Sequence, residues 1–360
     1  MGIAIWLKGM RPQTLPASVA PVVIGAAAAW TSIRQLGVCA LTYPAPESCA
    51  INRATQTTLE SRFWPLVILC ALVALFLQIA VNFANDYSDG VRGTDEGRGT
   101  ASSASPASSE SHGILPAAVV PSGRCDDIAA TPIHAPARLV ASGVPPKRVL
   151  TSAGTAAALA CLCGLAIVVI TGHWWLLAVG VCCLLAGWCY TGGRHPYGYT
   201  GLGELFVFVF FGLVAVLGTQ FVLCGTVTAT GVLGAVQAGL LSCVLLMVNN
   251  LRDVDSDRVH GKRTLAVRLG EQRARILTVA SYAIAFVPVA VMALVLLVLS
   301  VVGSAGSQYR WAIAAYGVIC LAIAALTIRA MLRRDHAHAL PLVGLSLLVC
   351  AVGYVGLAAI

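Results

Sequence analysis

The chain has 360 residues, of which 58% are hydrophobic and only 11% charged, whereas a soluble domain carries about a quarter charged residues. Charge this sparse cannot coat a globule of that size, which excludes an ordinary soluble enzyme. The net charge of +8 comes with no basic–aromatic cluster of the kind that binds nucleic acid, and the 13 cysteines follow no metal-ligand spacing.

In chain order, the apolar residues fall in blocks of about twenty, the length needed to cross a hydrocarbon core of about 30 Å. They predict an all-α, multi-pass transmembrane bundle with about nine spans, near 13–33, 64–85, 149–171, 174–191, 204–223, 231–251, 276–300, 310–330 and 340–360. The first block ends in a small-residue run, Ala26 to Ala29, that resembles a signal-cleavage site. Its length and the spans that follow predict a retained helix instead. With the N-terminus placed inside, only Arg34, Arg53, Arg62 and Arg310 of the 23 Lys and Arg residues fall outside. The net charge is therefore a topology signal, which puts the long polar loops on the inner side. Cys39 and Cys49 share the outer loop, where two unpaired thiols are expected and a disulfide requires an oxidising face. Residues 98–136 are rich in Ser, Ala and Pro without any period. They read as a flexible inner-loop insert in a single membrane domain spanning 1–360.

The acidic residues carry the chemistry. Of only 15 Asp and Glu residues, Asp86, Asp89, Asp95 and Glu96 follow the second block, and Asp253, Asp255 and Asp257 follow the sixth. Carboxylates at a membrane boundary are costly unless they pair, bind cations or meet water. Asn249, Asp253 and Asp257 are spaced i, i+4, i+8, which places them on one helical face and turns Asp255 away. Asn85 and Asp89 are also i, i+4, with Asn82 one turn earlier and Asp86 just off that face. Oxygen donors on one face suit Mg²⁺, which takes one or two carboxylates and completes its shell with water and phosphate oxygens. Lys262 and Arg263 follow directly and predict a clamp on a diphosphate, whose charge Mg²⁺ alone does not neutralise.

Five stretches extend the pattern: WLKGMRPQTLPAS at 6–18, QIAVNFANDYSDGVRGTD at 78–95, ARLVASG at 137–143, YTGGRHPYGYTGLGELFVFVFFG at 190–212 and NNLRDVDSDRVHGKRTLAVRLG at 249–270. Together they resemble the UbiA superfamily of intramembrane aromatic prenyltransferases, in particular its branch acting on 1,4-dihydroxy-2-naphthoate in menaquinone biosynthesis. The resemblance implies a UbiA-like bundle in the cell membrane with its active site on the cytoplasmic side. It implies that Asn85, Asp86, Asp89, Asp253 and Asp257 hold a polyprenyl diphosphate through Mg²⁺, with Asn249 in support. Arg11, Arg138, Lys262 and Arg263 would contact the diphosphate. Tyr190, Tyr197, Tyr199 and Glu204 would lie near the acceptor, with Asn250 among the substrate contacts. The implied reaction joins the polyprenyl group to the ring carbon bearing the carboxylate, releasing CO₂ and diphosphate. Two features depart from the family pattern. Gly93 stands where the family spacing calls for Asp, with Asp95 two residues on, and the loop before Arg138 carries the long insert.

Rival readings remain at this stage. Another acceptor, such as 4-hydroxybenzoate or homogentisate, would use the same motifs. A CDP-alcohol phosphotransferase wants a DG-x₂-AR run that neither acidic stretch has. A transporter would place charged groups near mid-membrane, whereas these acids cluster at the inner boundary.

Overall fold

The computed structural model describes residues 3–37, 47–92, 138–194, 196–301 and 307–359. Gly93, Asp95, Glu96, the 98–136 insert and Cys39 lie outside them, and nothing is described of the Cys49 side chain.

Every described element is helical. A short α1 (Ile3–Gly9) and a 3₁₀ turn (Pro12–Thr14) lead into α2 (Pro16–Gly37) and the long α3 (Glu47–Val91). Helices α4 (Pro146–Thr171) and α5 (Leu176–Thr191) follow, then a 3₁₀ turn at Tyr197–Tyr199. The next span is a composite of α6 (Gly203–Val207), a π-helix (Phe208–Leu217) and α7 (Gly218–Cys224). Helix α8 (Ala229–Arg252) is continued by α9 (Val254–Val259) and α10 (Leu265–Leu269), and α11 (Glu271–Val301), α12 (Ser307–Leu332) and α13 (His336–Ala359) complete the chain.

The helix ends follow local chemistry. Pro146 begins α4, where its missing N–H costs nothing. The Thr228 hydroxyl caps α8 by accepting from the Gly231 N–H at 3.2 Å. Gly172 and Gly225 close α4 and α7 in the left-handed conformation, at φ 73° and 71°.

Among the described residues, eight helices are long and apolar enough to cross a membrane. The expected fourth span is the exception: α5 has 16 residues, about 24 Å at 1.5 Å per residue, short of a full hydrocarbon core. Burial separates an inner pair from a ring. The spans in α2 and α8 are 67% buried, against 22–39% for the other six. Ala20, Ile24 and Ala29 of α2 and Ala235, Ala238 and Leu241 of α8 are fully buried. The outer helices turn large apolar side chains outward, including Leu162, Val181, Leu294, Val318 and Val352. That is the surface expected of a protein whose solvent is lipid.

Candidate active site

A cavity of about 1130 Å³ runs between α2, α3, α4, α5, the α6–α7 span and α8. One limb is apolar, lined by Val22, Ile167, Leu176 and Val222. The other is a charged pole where the C-terminal ends of α3 and α8 meet the loops after them.

On α3, Asn82, Asn85, Asp86 and Asp89 are all buried and line this pole. Arg11 Nη2 donates to Asp86 Oδ1 at 2.5 Å, and the Leu139 N–H donates to Asp86 Oδ2 at 3.3 Å. Asp89 accepts from the Arg138 guanidinium and the Tyr199 hydroxyl, and from Lys262 Nζ at 3.1 Å. Thr191 Oγ1 donates to Asn85 Oδ1 at 2.6 Å. Arg11 holds a left-handed backbone, φ 52°, a conformation uncommon outside glycine. It lies between α1 and the 3₁₀ turn, where the turn bends the chain so that its guanidinium reaches α3.

The second acidic stretch is not one unbroken helix. Helix α8 stops at Arg252, and Asp253 sits in the junction at φ −97°, ψ 6°. The Asp253 N–H still donates to Asn249 O at 3.1 Å, and the Asp257 N–H to Asp253 O at 2.8 Å. The register therefore passes through the break, and Asn249, Asp253 and Asp257 all line the cavity with Asn250. The Asp255 side chain is 89% exposed and lies 3.8 Å from Arg258. Arg252 grips Asp253 with both prongs of its guanidinium, at 2.9 and 3.1 Å.

Lys262 links the two walls. Its Nζ lies 3.1 Å from Asp89 and 3.9 Å from Asp257, and it is buried. Tyr199 packs its ring beneath the ammonium at 4.7 Å. Arg263 departs from expectation: its side chain is exposed and does not line the cavity. The chain after Gly261 is extended enough to alternate sides, so turning Lys262 inward turns Arg263 outward, and Arg263 contributes its N–H to Tyr199 O at 2.9 Å. Glu204 also stands behind the lining; it accepts from Asn250 Nδ2 at 2.9 Å and so positions a side chain that does line the cavity. Tyr190, Tyr197 and Tyr199 line it directly. Tyr197 donates to Ala186 O at 2.7 Å, and burial holds its phenol protonated well above the usual range.

Sequence reasoning missed Lys8, Thr191 and Arg252, all of which line the pole. Each lies within three residues of a residue that was singled out, which was the available signal. The pole thus sets Lys8, Arg11, Arg138, Arg252 and Lys262 against Asp86, Asp89, Asp253 and Asp257. Burial, then the neighbouring Arg11 charge, pulls the Arg138 guanidinium down to about 10, which leaves it charged at neutral pH. Among the described residues no three His, Cys, Asp or Glu side chains form a ready-made metal cage. At the pole, the donors that face the cavity are carboxylate and amide oxygens on two walls. That set suits a hard cation sharing its shell with phosphate oxygens, and does not suit a soft metal.

The UbiA prenyltransferase family pattern matches residues 127–350, more than half of the chain. The chain belongs to the UbiA prenyltransferase family. Within the family it is 41% identical, over 76% of its own length and 73% of the relative's, to the 1,4-dihydroxy-2-naphthoate octaprenyltransferase of Mycobacterium tuberculosis (strain ATCC 25618 / H37Rv). It is 34% identical, over 75% and 70% of the two chains, to the protein of the same name from Escherichia coli (strain K12). A UbiA homolog from Aeropyrum pernix K1 shares the fold, with a TM-score of 0.56 over 96% of this chain and 98% of that one at 13% identity.

Proposed function

We propose that this UbiA-family enzyme transfers a polyprenyl group from polyprenyl diphosphate to 1,4-dihydroxy-2-naphthoate. The products are a demethylmenaquinol, CO₂ and diphosphate, in menaquinone biosynthesis. The observation that carries this reading is the junction of a charged pole with a long apolar cavity in a chain 41% identical to a naphthoate prenyltransferase. Asp89, Asp253 and Asp257, with Asn85, would hold Mg²⁺, which when bound neutralises charge on the departing diphosphate. Lys8, Arg11, Arg138, Arg252 and Lys262 surround the same position and stabilise the leaving oxygens as the allylic C–O bond ionises. Asp86 orients Arg11, and Tyr199 and Lys262 fix Asp89. The apolar limb lets the tail remain among hydrocarbon-like side chains and keeps water from the allylic cation. The ring carbon bearing the carboxylate attacks the cation, the new C–C bond forms, and loss of CO₂ returns the C–C electron pair to the ring. The basic residues at the pole end, Arg92, Lys147, Arg252 and Arg258, support a cytoplasmic position for that end by the positive-inside rule.

Carboxyl-labelled naphthoate tests the reading. Purified enzyme, Mg²⁺ and a polyprenyl diphosphate should release labelled CO₂ and diphosphate one for one, and neither without Mg²⁺. Prenylation of 4-hydroxybenzoate with its label retained, and none of the naphthoate, would show that the acceptor assignment is wrong within the correct family.

A further inference from the structure

The wall of the cavity beside the charged pole has a feature that the prenyl-transfer reading does not use. Residues Phe208–Leu217 are wound as a π-helix inside the α6–α7 span. Cavity-lining pairs recur along the whole span every four residues: Phe206/Val207 in α6, Phe210/Phe211 and Val214/Ala215 in the π-helix, and Gly218/Thr219 in α7. A regular α-helix advances about 100° per residue and so drifts about 40° every four. The wider π winding drifts the opposite way, so the α- and π-wound segments together keep the stripe on the cavity along the span. The winding is packed tightly: a Cβ on Gly25 of α2 would meet the Val216 carbonyl at 2.4 Å, and one on Gly212 would meet the Ala235 carbonyl of α8 at 2.6 Å. At the pole end the stripe is aromatic. Phe206 and Phe210 lie 6.3 Å apart with planes 13° from parallel, and Tyr197 stacks on Phe206 at 4.1 Å and 24°. This column adjoins the reacting end of the site. Tyr199, two residues from Tyr197, bonds Asp89, and Glu204, two residues before Phe206, holds Asn250.

Resting on the prenyl-transfer reading, we infer that this π-wound wall is the acceptor-binding surface, with Phe206 and Phe210, in column with Tyr197, seating the flat face of the aromatic acceptor. Near-parallel rings recognise a planar bicyclic ring by stacking, and Phe206 and Phe210, one turn apart, both line the cavity. Steady-state kinetics of Phe206→Leu and Phe210→Ala in detergent, with each substrate varied in turn, test this. The expected result is an acceptor KM raised about tenfold, the loss of one stacking contact plus its area, with the polyprenyl diphosphate KM unchanged. A second arm uses wild-type protein and so does not depend on the variants folding: a photoreactive azido-naphthoate, crosslinked and mapped by mass spectrometry, should label residues 206–211. Labelling elsewhere, or a raised diphosphate KM with an unchanged acceptor KM, overturns the inference while naphthoate turnover by wild type upholds the function. If wild type instead uses another aromatic acid and the Phe variants raise the KM for that acid, the wall stands and the naphthoate assignment falls.

Discussion

Asp255 and Asp257 stand two residues apart in the same short helix, and comparing their loss isolates the effect of the ligand face. The Asp257 residue is 5% exposed and its carboxylate lies 3.9 Å from Lys262, whereas the Asp255 side chain is 89% exposed beside an exposed Arg258. Asp257→Asn keeps the shape and removes the charge. Lys262 retains Asp89 at 3.1 Å, so the substitution does not orphan a buried ammonium, and the protein should still fold. What is lost is the negative charge of a side chain that would hold the cation, and with it part of the charge stabilisation of the leaving diphosphate. Removing one such electrostatic contact costs about 2.7–4 kcal/mol, or about 100- to 1,000-fold in kcat. Asp255→Asn breaks a solvent-exposed pair worth at most about 1 kcal/mol to stability and touches no cavity surface, so turnover should be unchanged. The assay is product formation at saturating substrates over a Mg²⁺ titration, with size-exclusion elution and thermal melting as folding controls. Asp257→Asn should also shift the Mg²⁺ midpoint upward. Equal losses in the two variants, or full activity in Asp257→Asn, would refute the assignment of the α8–α9 face as the metal and diphosphate wall.

Three further outcomes are expected. In a cysteine-free background, cysteines at the exposed positions Val259 and Lys147 should react with an impermeant thiol reagent from one side of the membrane, and one at Arg53 from the other. Labelling of Arg53→Cys and Val259→Cys together would break the topology. Gly25→Ala drives a Cβ to 2.4 Å from the Val216 carbonyl, an overpacking that costs about 1–3 kcal/mol and should lower Tm in detergent; an unchanged Tm would show that the π-helical wall yields. Replacing residues 100–132 with a short Gly/Ser linker should leave turnover intact, because their composition cannot bury a core. A folded but inactive deletion would make the segment part of the catalytic apparatus.

Much of the architecture was legible in the sequence because the membrane simplifies the physics. A span must satisfy its own backbone hydrogen bonds and be apolar for about twenty residues, so block length alone located the helices. The block at 174–191 yields a shorter helix than its apolar length suggests, because Trp174 and Trp175 fall in the turn before α5 and leave 16 helical residues. The candidate site was legible for a related reason. Carboxylates are so few in this chain that their spacing stands out, and the i, i+4 relation survived even the break at Asp253, since Asp257 still bonds back to Asp253.

Which partner each of those carboxylates would meet was decided only by the tertiary structure. Arg11 reaches Asp86 across 75 residues, and Lys262 reaches Asp89 across 173. Local periodicity has no access to such separations, because they depend on how α2, α3 and α8 pack. Lys262 and Arg263 are adjacent and alike in charge, and only the course of the loop against Tyr199 turns one inward and the other out. Glu204 looked like an acceptor contact until packing placed it behind Asn250. The π winding at Phe208–Leu217 gave no local signal in an all-apolar run. It packs closely against α2 and α8 at Gly25 and Gly212, and a contact between distant helices is what a chain read residue by residue does not contain.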